Sequence, residues 1–397
     1  MVSEVEGKTK KVAIIFYTVT ALYWFALYTY GSVLSNHAAG MGANAAMIGL
    51  ISGSYGFAMM VLRLPVGIFS DSIKNRKWFM GAGLILACIS SIGLGLSRTP
   101  GQLLLFRSIA GIAAAMFVVF PGYLTEMNPS GDNHKAMGTL SAVNKTGRMT
   151  AVFLGGLAVQ MFGSKWAFLL GGFAAGATIL IWAALPGDTY HEDHKDHSLR
   201  ELISIIKDKD LCISAGLTTL FQFAVFSTTY TFTPIIAKSL GMNDALIGLL
   251  TAFFTLTGII SALLSSTIFK KILGAKKTVT IAFLFSGVLF SLMAFNSSII
   301  LLFLLQIAAG LFMGLILPLL MGESLKNIPK EKKGTAMGFY QSVYGIGMVL
   351  GPYAVGLITR YSNIKAGYIM VLGICTAAAI LTYMYGGEDR RNGLAKY

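Results

Sequence analysis

The chain has 397 residues, of which 55% are hydrophobic and only 12% are charged. Soluble domains carry about 25% charged residues and lack apolar runs of the roughly 20 residues that cross a bilayer, so this composition excludes a soluble globular protein. The net charge of +14 does not indicate nucleic-acid binding, because the basic residues are spread over short loops instead of forming one contiguous face.

Twelve apolar runs long enough to cross a bilayer follow one another along the chain. We predict that each is a helix, because a lipid-facing backbone must satisfy its own hydrogen bonds. The polar first eleven residues do not resemble a signal peptide, so the first run is expected to remain as a helix. The predicted spans are 11–35, 45–70, 77–97, 101–127, 136–161, 164–186, 210–237, 244–269, 277–295, 298–324, 334–360 and 365–386.

The basic residues alternate between the loops. With the N-terminus in the cytoplasm, the termini and even-numbered connections hold 22 Lys and Arg, and the opposite loops hold five. Positive residues are retained on the cytoplasmic side of a membrane. The sequence therefore predicts a multi-pass inner-membrane protein with both termini cytoplasmic.

The longest polar stretch, 187–209, separates an N-terminal six-helix bundle (1–186) from a C-terminal one (210–397). His191, His194 and His197 recur every third residue in this linker. A metal site is one interpretation, but no closing Cys ligand accompanies them, so a solvated linker is preferred. No metal or other cofactor is predicted.

The two halves repeat each other. Residues 136–156 align with 336–356 at an offset of 200, and both halves carry a Pro and a Glu just upstream, namely Pro121, Glu126, Pro318 and Glu323. Six spans separate the copies, so they share one orientation. The predicted fold is therefore an all-α polytopic membrane protein with twelve transmembrane helices in two pseudo-symmetric six-helix bundles.

Several short motifs stand at defined places in the predicted spans. The loop after span two fits the pattern G-x-x-x-D-x-x-x-x-[RK]-[RK], span four fits R-x-x-x-G, and span five is rich in glycine, with a Gly-Pro in its C-terminal copy only. The residues that form these motifs are Arg63, Gly67, Asp71, Arg76, Lys77, Arg107, Gly111, Gly147, Gly155, Gly156, Gly351 and Pro352. Together the motifs resemble those of the major facilitator superfamily, a family of secondary transporters, and the glycines of span five resemble the motif of its antiporters.

The resemblance implies that these residues, apart from Arg107, gate the transport cycle. It implies that Asp71 pairs with Arg76 and with the start of helix eleven near Gly334, which would latch one conformation. The alternative is that Asp71 is a solvated carboxylate in a loop. The glycines Gly147, Gly155 and Gly156 allow helix five to bend or to pack tightly, and plain packing stays open beside a role in coupling.

Four cations lie inside predicted spans, namely Arg63, Arg107, Lys145 and Arg148, and no acidic residue lies deep in any span. Charged residues inside a membrane are costly and usually functional. Lys145 and Arg148 share one helix face with Asn144, roughly 13 and 18 Å from the cytoplasmic end. We expect an anion-binding site here. The alternative is that Lys145 snorkels while Arg148 bonds helix-end carbonyls.

Further candidates for substrate contact are polar or aromatic residues on spans one, seven and eleven, although aromatic residues near span ends also serve as interfacial anchors. They are Tyr23, Trp24, Tyr28, Gln222, Tyr230, Gln341 and Tyr344. Arg107 in span four is also a candidate for substrate contact, and the alternative is the general coupling role that the resemblance implies for its position. We predict a monomeric secondary transporter, not an enzyme, that moves a small organic anion such as a carboxylate by alternating access, coupled to a proton or an exchanged anion. The alternative is a proton-coupled drug or metabolite efflux antiporter.

Overall fold

The computed structural model describes residues 2–73, 75–127, 133–187, 207–329 and 333–394, and within these ranges it contains helices but no β-strand. The first eight helices are α1 (Val2–Tyr28), α2 (Leu34–Gly40), α3 (Ala45–Ile73), α4 (Arg76–Leu96), α5 (Pro100–Met116), α6 (Val119–Met127), α7 (Asn133–Phe162) and α8 (Lys165–Ala183). The others are α9 (Lys209–Ser227), α10 (Thr233–Ser239), α11 (Asp244–Leu264), α12 (Lys270–Leu273), α13 (Ala275–Phe295), α14 (Ile299–Ser324), α15 (Lys333–Tyr361) and α16 (Ile364–Leu394).

The helices confirm the predicted all-α membrane fold. Eleven stretches of the described helices are long and apolar enough to cross a membrane. The twelfth predicted span corresponds to α7, which has 30 residues but whose apolar character is interrupted by Lys145 and Arg148.

The chain divides into two compact units. The first contains Met1–Met41, Ser54–Ser198 and Asn243–Leu249, and the second contains Gly42–Gly53, Leu199–Met242 and Leu250–Tyr397. In the first unit α1 packs against α7 and α8, and α4 packs against α5 and α8. In the second unit α9 packs against α14 and α15, and α13 packs against α14 and α16.

The predicted linker at 187–209 lies almost entirely outside the described residues, and so do His191, His194 and His197. The division into halves at that linker therefore stays a prediction.

Two loops at corresponding positions have the same local structure. Gly42 and Gly241 adopt φ values of 83° and 85°, a conformation that glycine adopts at little energetic cost. Two residues later, the side-chain oxygens of Asn44 and Asn243 accept hydrogen bonds from backbone amides three residues ahead, at 3.0 and 2.9 Å. These caps start α3 and α11, so the internal repeat extends to the way its helices begin.

Span one is broken where the sequence predicts a continuous helix over 11–35. Helix α1 ends at Tyr28 and α2 begins at Leu34. Between them the amide of Gly31 donates to the Tyr28 carbonyl at 2.9 Å, three residues back, which is the tighter bonding of a 3₁₀ turn. A π-helical turn at Thr228–Phe232 interrupts span seven at the corresponding position.

Candidate functional site

The guanidinium of Arg148 lies against aromatic rings of α1. Its central carbon is 3.7 Å from the ring centroid of Trp24 and 4.6 Å from that of Tyr28. Trp24 and Tyr28 are four residues apart and therefore share one face of the helix. The Nε atom of Arg148 is buried without a hydrogen-bond partner among the described residues.

The guanidinium of Arg107, on α5, has a similar environment. Its central carbon is 4.3 Å from the ring centroid of Tyr55 and 5.4 Å from that of Tyr30. The side chain is almost fully buried, with 8% of Arg107 exposed. Its Nε and Nη1 atoms also lack a hydrogen-bond partner in the described part of the chain.

Tyr55 on α3 links the two guanidiniums. Its ring meets that of Tyr28 edge-on, with centroids 6.4 Å apart, and it lies within electrostatic range of both Arg107 and Arg148. We name Trp24, Tyr28, Tyr30, Tyr55, Arg107 and Arg148 together the arginine–tyrosine cluster. Tyr28 was a candidate from the sequence, whereas Tyr30 and Tyr55 were not, because nothing separates their rings from the other tyrosines of a chain that has 16.

Cation–π contacts only partly stabilise the cluster. Such a contact contributes about 0.5–2 kcal/mol, whereas the desolvation of a buried cation costs several kcal/mol. Among the described residues no Asp or Glu side chain is buried. The cluster therefore holds buried positive charge that the described carboxylates do not neutralise.

Lys145 adds a third positive charge near this cluster. It lies three residues before Arg148 on α7, is half-buried and interacts electrostatically with the Arg148 charge. Asn144 precedes it and is also half-buried. The like charges repel, so an anion between them would be favoured.

Tyr23 is oriented differently from Trp24, although the two residues are neighbours on α1. Its hydroxyl donates to the backbone carbonyl of Ala113 on α5, and its ring packs at 5.1 Å from that of Phe120. These contacts join α1 to α5 and α6. A substrate contact at Tyr23 stays a prediction.

The candidates of the second unit are polar and aromatic, and all are half-buried: Gln222, Tyr230, Gln341 and Tyr344. Tyr230 lies in the π-helical turn with its ring 5.4 Å from that of Phe226. Tyr344 meets Tyr340 edge-on at 5.7 Å. Their role in substrate binding stays a prediction.

The predicted gating residues form contacts at one end of the first unit. Arg76 pairs with Glu126, while the side chain of Asp71 lies outside the described residues, so its predicted pairing stays untested. Lys77 donates to the carbonyls of Leu185 and Ala183 near the end of α8, where a cation complements the helix dipole. Arg63, which is 6% exposed, lies 3.6 Å from the sulfur of Met59.

The predicted glycines permit close helix contacts. A Cβ atom at Gly147 would collide with the backbone carbonyl of Ala21, and one at Gly155 with that of Thr29. Gly351, which precedes Pro352 on α15, meets the backbone of Phe223 in the same way, and Gly111 meets that of Tyr55. Only Gly67 among these positions is more open, with Val118 3.9 Å away. The other four glycines therefore lie in tight helix contacts, and a role of the span-five glycines in coupling stays a prediction.

A cavity of about 540 Å³ lies between α9 and α16, far along the chain from the cluster. Its lining contains no charged side chain and is mostly apolar, with Ile213, Leu217 and Leu220 on one side. Its one side-chain hydroxyl, that of Tyr385, donates to the carboxylate of Asp210, so the cavity is poorly suited to a polar substrate.

Comparison with known proteins places the chain among membrane transporters. An uncharacterised transporter of Methanocaldococcus jannaschii is 23% identical over 387 residues, covering 95% of this chain and 99% of the relative. The multidrug efflux pump PmrA of Streptococcus pneumoniae is 26% identical over 324 residues and 79% of both chains.

Solved structures show the same fold. The nucleoside transporter NupG superposes with a TM-score of 0.78 at 16% identity over 93% of this chain and 99% of its own. The human organic anion transporter MFSD10 superposes with a TM-score of 0.66 at 16% identity, over 94% of this chain and 99% of its own. The family model described as Major Facilitator Superfamily matches residues 16–243 and 214–396. The chain therefore belongs to the major facilitator superfamily of transporters.

Proposed function

We propose that this transporter moves a small organic anion, such as a carboxylate, across the cytoplasmic membrane by alternating access. The observation that carries the proposal is the guanidinium of Arg148, which lies 3.7 Å from the Trp24 ring with a buried and unpaired Nε atom. Lys145 adds a second positive charge on the same helix.

The geometry suits a carboxylate. Stacking on an aromatic face holds the plane of a guanidinium and leaves its edge available, and that edge can donate two parallel hydrogen bonds to a carboxylate. The bound anion would also offset the desolvation of Arg148, which the π contact alone leaves uncompensated. A positively charged or neutral ligand would not offset this desolvation.

The driving force would come from a co-transported proton or from exchange against a second anion. No Asp or Glu is among the buried side chains of the described residues, so coupling would run either through release of a proton by the substrate carboxyl group when it binds to Arg148 or through exchange of anions. We propose that the protein works as a monomer with both termini in the cytoplasm, in keeping with the distribution of its basic loops.

Efflux of drugs or metabolites is the second candidate function. The relative from Streptococcus pneumoniae is named a multidrug efflux pump, which favours this direction of transport. Export of a cationic drug would require a buried carboxylate to balance the drug's charge. The positively charged cluster therefore limits this candidate to neutral or acidic compounds.

The test is uptake into liposomes that contain the purified protein, with radiolabelled carboxylates and a lipophilic cation compared under an imposed pH gradient. We expect transport of an anion that Arg148→Gln abolishes and that Arg148→Lys restores only in part, because an ammonium group lacks the two-pronged geometry. Arg98→Gln provides the matched control, since Arg98 is exposed in a loop. Normal anion uptake by Arg148→Gln would refute the assignment.

A further inference from the structure

The donors of Arg107 remain unexplained by a site for one carboxylate at Arg148. Arg107 is 8% exposed, yet its Nε and Nη1 atoms lack a hydrogen-bond partner in the described structure. Buried polar groups are normally paired, and an unpaired one costs about 1–3 kcal/mol. Two such donors on one side chain point to an acceptor that enters with a ligand.

Arg107 and Arg148 belong to one continuous group of side chains. Tyr28 touches the Arg148 guanidinium, Tyr55 touches that of Arg107, and the two tyrosine rings meet edge-on. The indole Nε1 of Trp24 is a further buried donor without a partner among the described residues. The arginine–tyrosine cluster therefore offers unpaired donors at two positively charged ends that are joined by aromatic rings.

We propose that the cluster is a two-point clamp for a dianion that carries an acidic group at each end of an organic body. This inference rests on the proposed transport of organic anions and specifies the substrate class. A monoanion at Arg148 would leave the Arg107 charge buried and unbalanced, whereas a dianion pairs with both guanidiniums. The rings of Tyr28 and Tyr55 give the organic body between the acids an apolar surface.

The test compares ligands that differ by one charge and little else. Binding of a series of α,ω-dicarboxylates of increasing chain length is measured alongside the monoamide of each acid, with the purified protein in detergent. Removing one partner of a buried charge pair costs 2 kcal/mol or more, or about 30-fold in affinity. We expect at least one diacid to bind about 30-fold more tightly than its monoamide.

The variants assign this preference to Arg107. We expect Arg107→Gln to bring the ratio of diacid to monoamide affinity down from about 30 to about one, and Arg98→Gln to leave this ratio unchanged. Arg107→Lys, which keeps the charge, should retain part of the preference. A uniform loss of both ligands in Arg107→Gln would mean that Arg107 only supports the fold, and would overturn the clamp.

The outcomes separate the clamp from the function on which it rests. If diacids and monoamides bind equally well to the unsubstituted protein, the clamp is wrong, while the proposal of anion transport through Arg148 stands. This comparison uses only the unsubstituted protein, so it does not depend on whether an Arg107 variant folds. If neither ligand class binds at any chain length, while neutral compounds do, both proposals fail.

Discussion

Gly155→Ala tests the close packing of helix α7 against span one. A Cβ atom at this position would collide with the backbone carbonyl of Thr29, just beyond the end of α1. A backbone carbonyl cannot rotate away as a flexible side chain would. The two helices must therefore separate, and the contacts between α1 and α7 must loosen along their length.

The same substitution at Gly138 provides a matched control. Gly138 is on the same helix, but a Cβ atom there would have no neighbour within 4 Å. Both substitutions gain the same intrinsic helix propensity, about 1 kcal/mol for replacing glycine by alanine. The difference in the free energy of unfolding therefore isolates the collision at Gly155, which we place near 3 kcal/mol, at the upper end of the range for overpacking.

Unfolding by sodium dodecyl sulfate in mixed micelles, followed by circular dichroism, measures this difference. We expect the transition of Gly155→Ala at a lower detergent fraction than that of the unsubstituted protein, and that of Gly138→Ala at an equal or higher one. Gly347→Ala, which would meet the carbonyl of Thr219 in the second unit, should behave like Gly155→Ala. Coincident transitions of the Gly155 and Gly138 variants would refute the close contact.

Three further predictions concern charged groups. Burial and the nearby Lys165 lower the pKa of His37 in the folded protein. The unfolded chain therefore binds a proton at His37 more readily, and the stability of the fold should decrease as the pH drops below about 6.5. His37→Gln should reduce this loss of stability, as measured by thermal unfolding at several pH values. Glu126→Gln removes the partner of Arg76 and should lower the unfolding free energy by about 1–3 kcal/mol, seen as a lower Tm. Lys277→Cys and Arg98→Cys should react with an impermeant maleimide from opposite sides of the membrane; labelling from one side would contradict the orientation.

The spans could be predicted because lipid imposes a simple rule on sequence. A helix that faces hydrocarbon must be apolar over the roughly 20 residues that cross the lipid, and α13 and α14 show this over residues 278–295 and 299–322. The interruption after Tyr28 was not predictable in the same way. It contains Gly31 and Ser32, which disfavour a helix, but such residues also occur in transmembrane helices that stay continuous, and the turn depends on local backbone bonds that hydropathy does not report.

The candidate site was only partly accessible from sequence. Arg107 and Arg148 were identified because a charge in an apolar run is conspicuous, and the structure brings Trp24, also identified, against Arg148. Tyr55 was not, because its importance comes from its neighbours on other helices. Contacts across helices follow from packing angles and depths that a single sequence does not contain.

The internal repeat shows what the fold requires at the position of Arg148. At the offset of 200, Met348 occupies the corresponding place on α15, where it is 3% exposed, and Gly345 corresponds to Lys145. One copy of the helix thus packs with an apolar side chain where the other holds a half-buried cation. The scaffold therefore does not need the charge, and its cost is best explained by ligand binding.

Arg148→Met consequently separates function from stability. The substitution removes the cost of desolvating a half-buried cation and loses cation–π contacts of about 0.5–2 kcal/mol, so the Tm should stay constant or rise. Anion uptake should be lost at the same time, as expected where a site is maintained at the expense of stability. The measurements are thermal unfolding and liposome uptake on the same preparation. A Tm lowered by several degrees would show that Arg148 supports the helix packing, and the anion assignment would then lose its main argument.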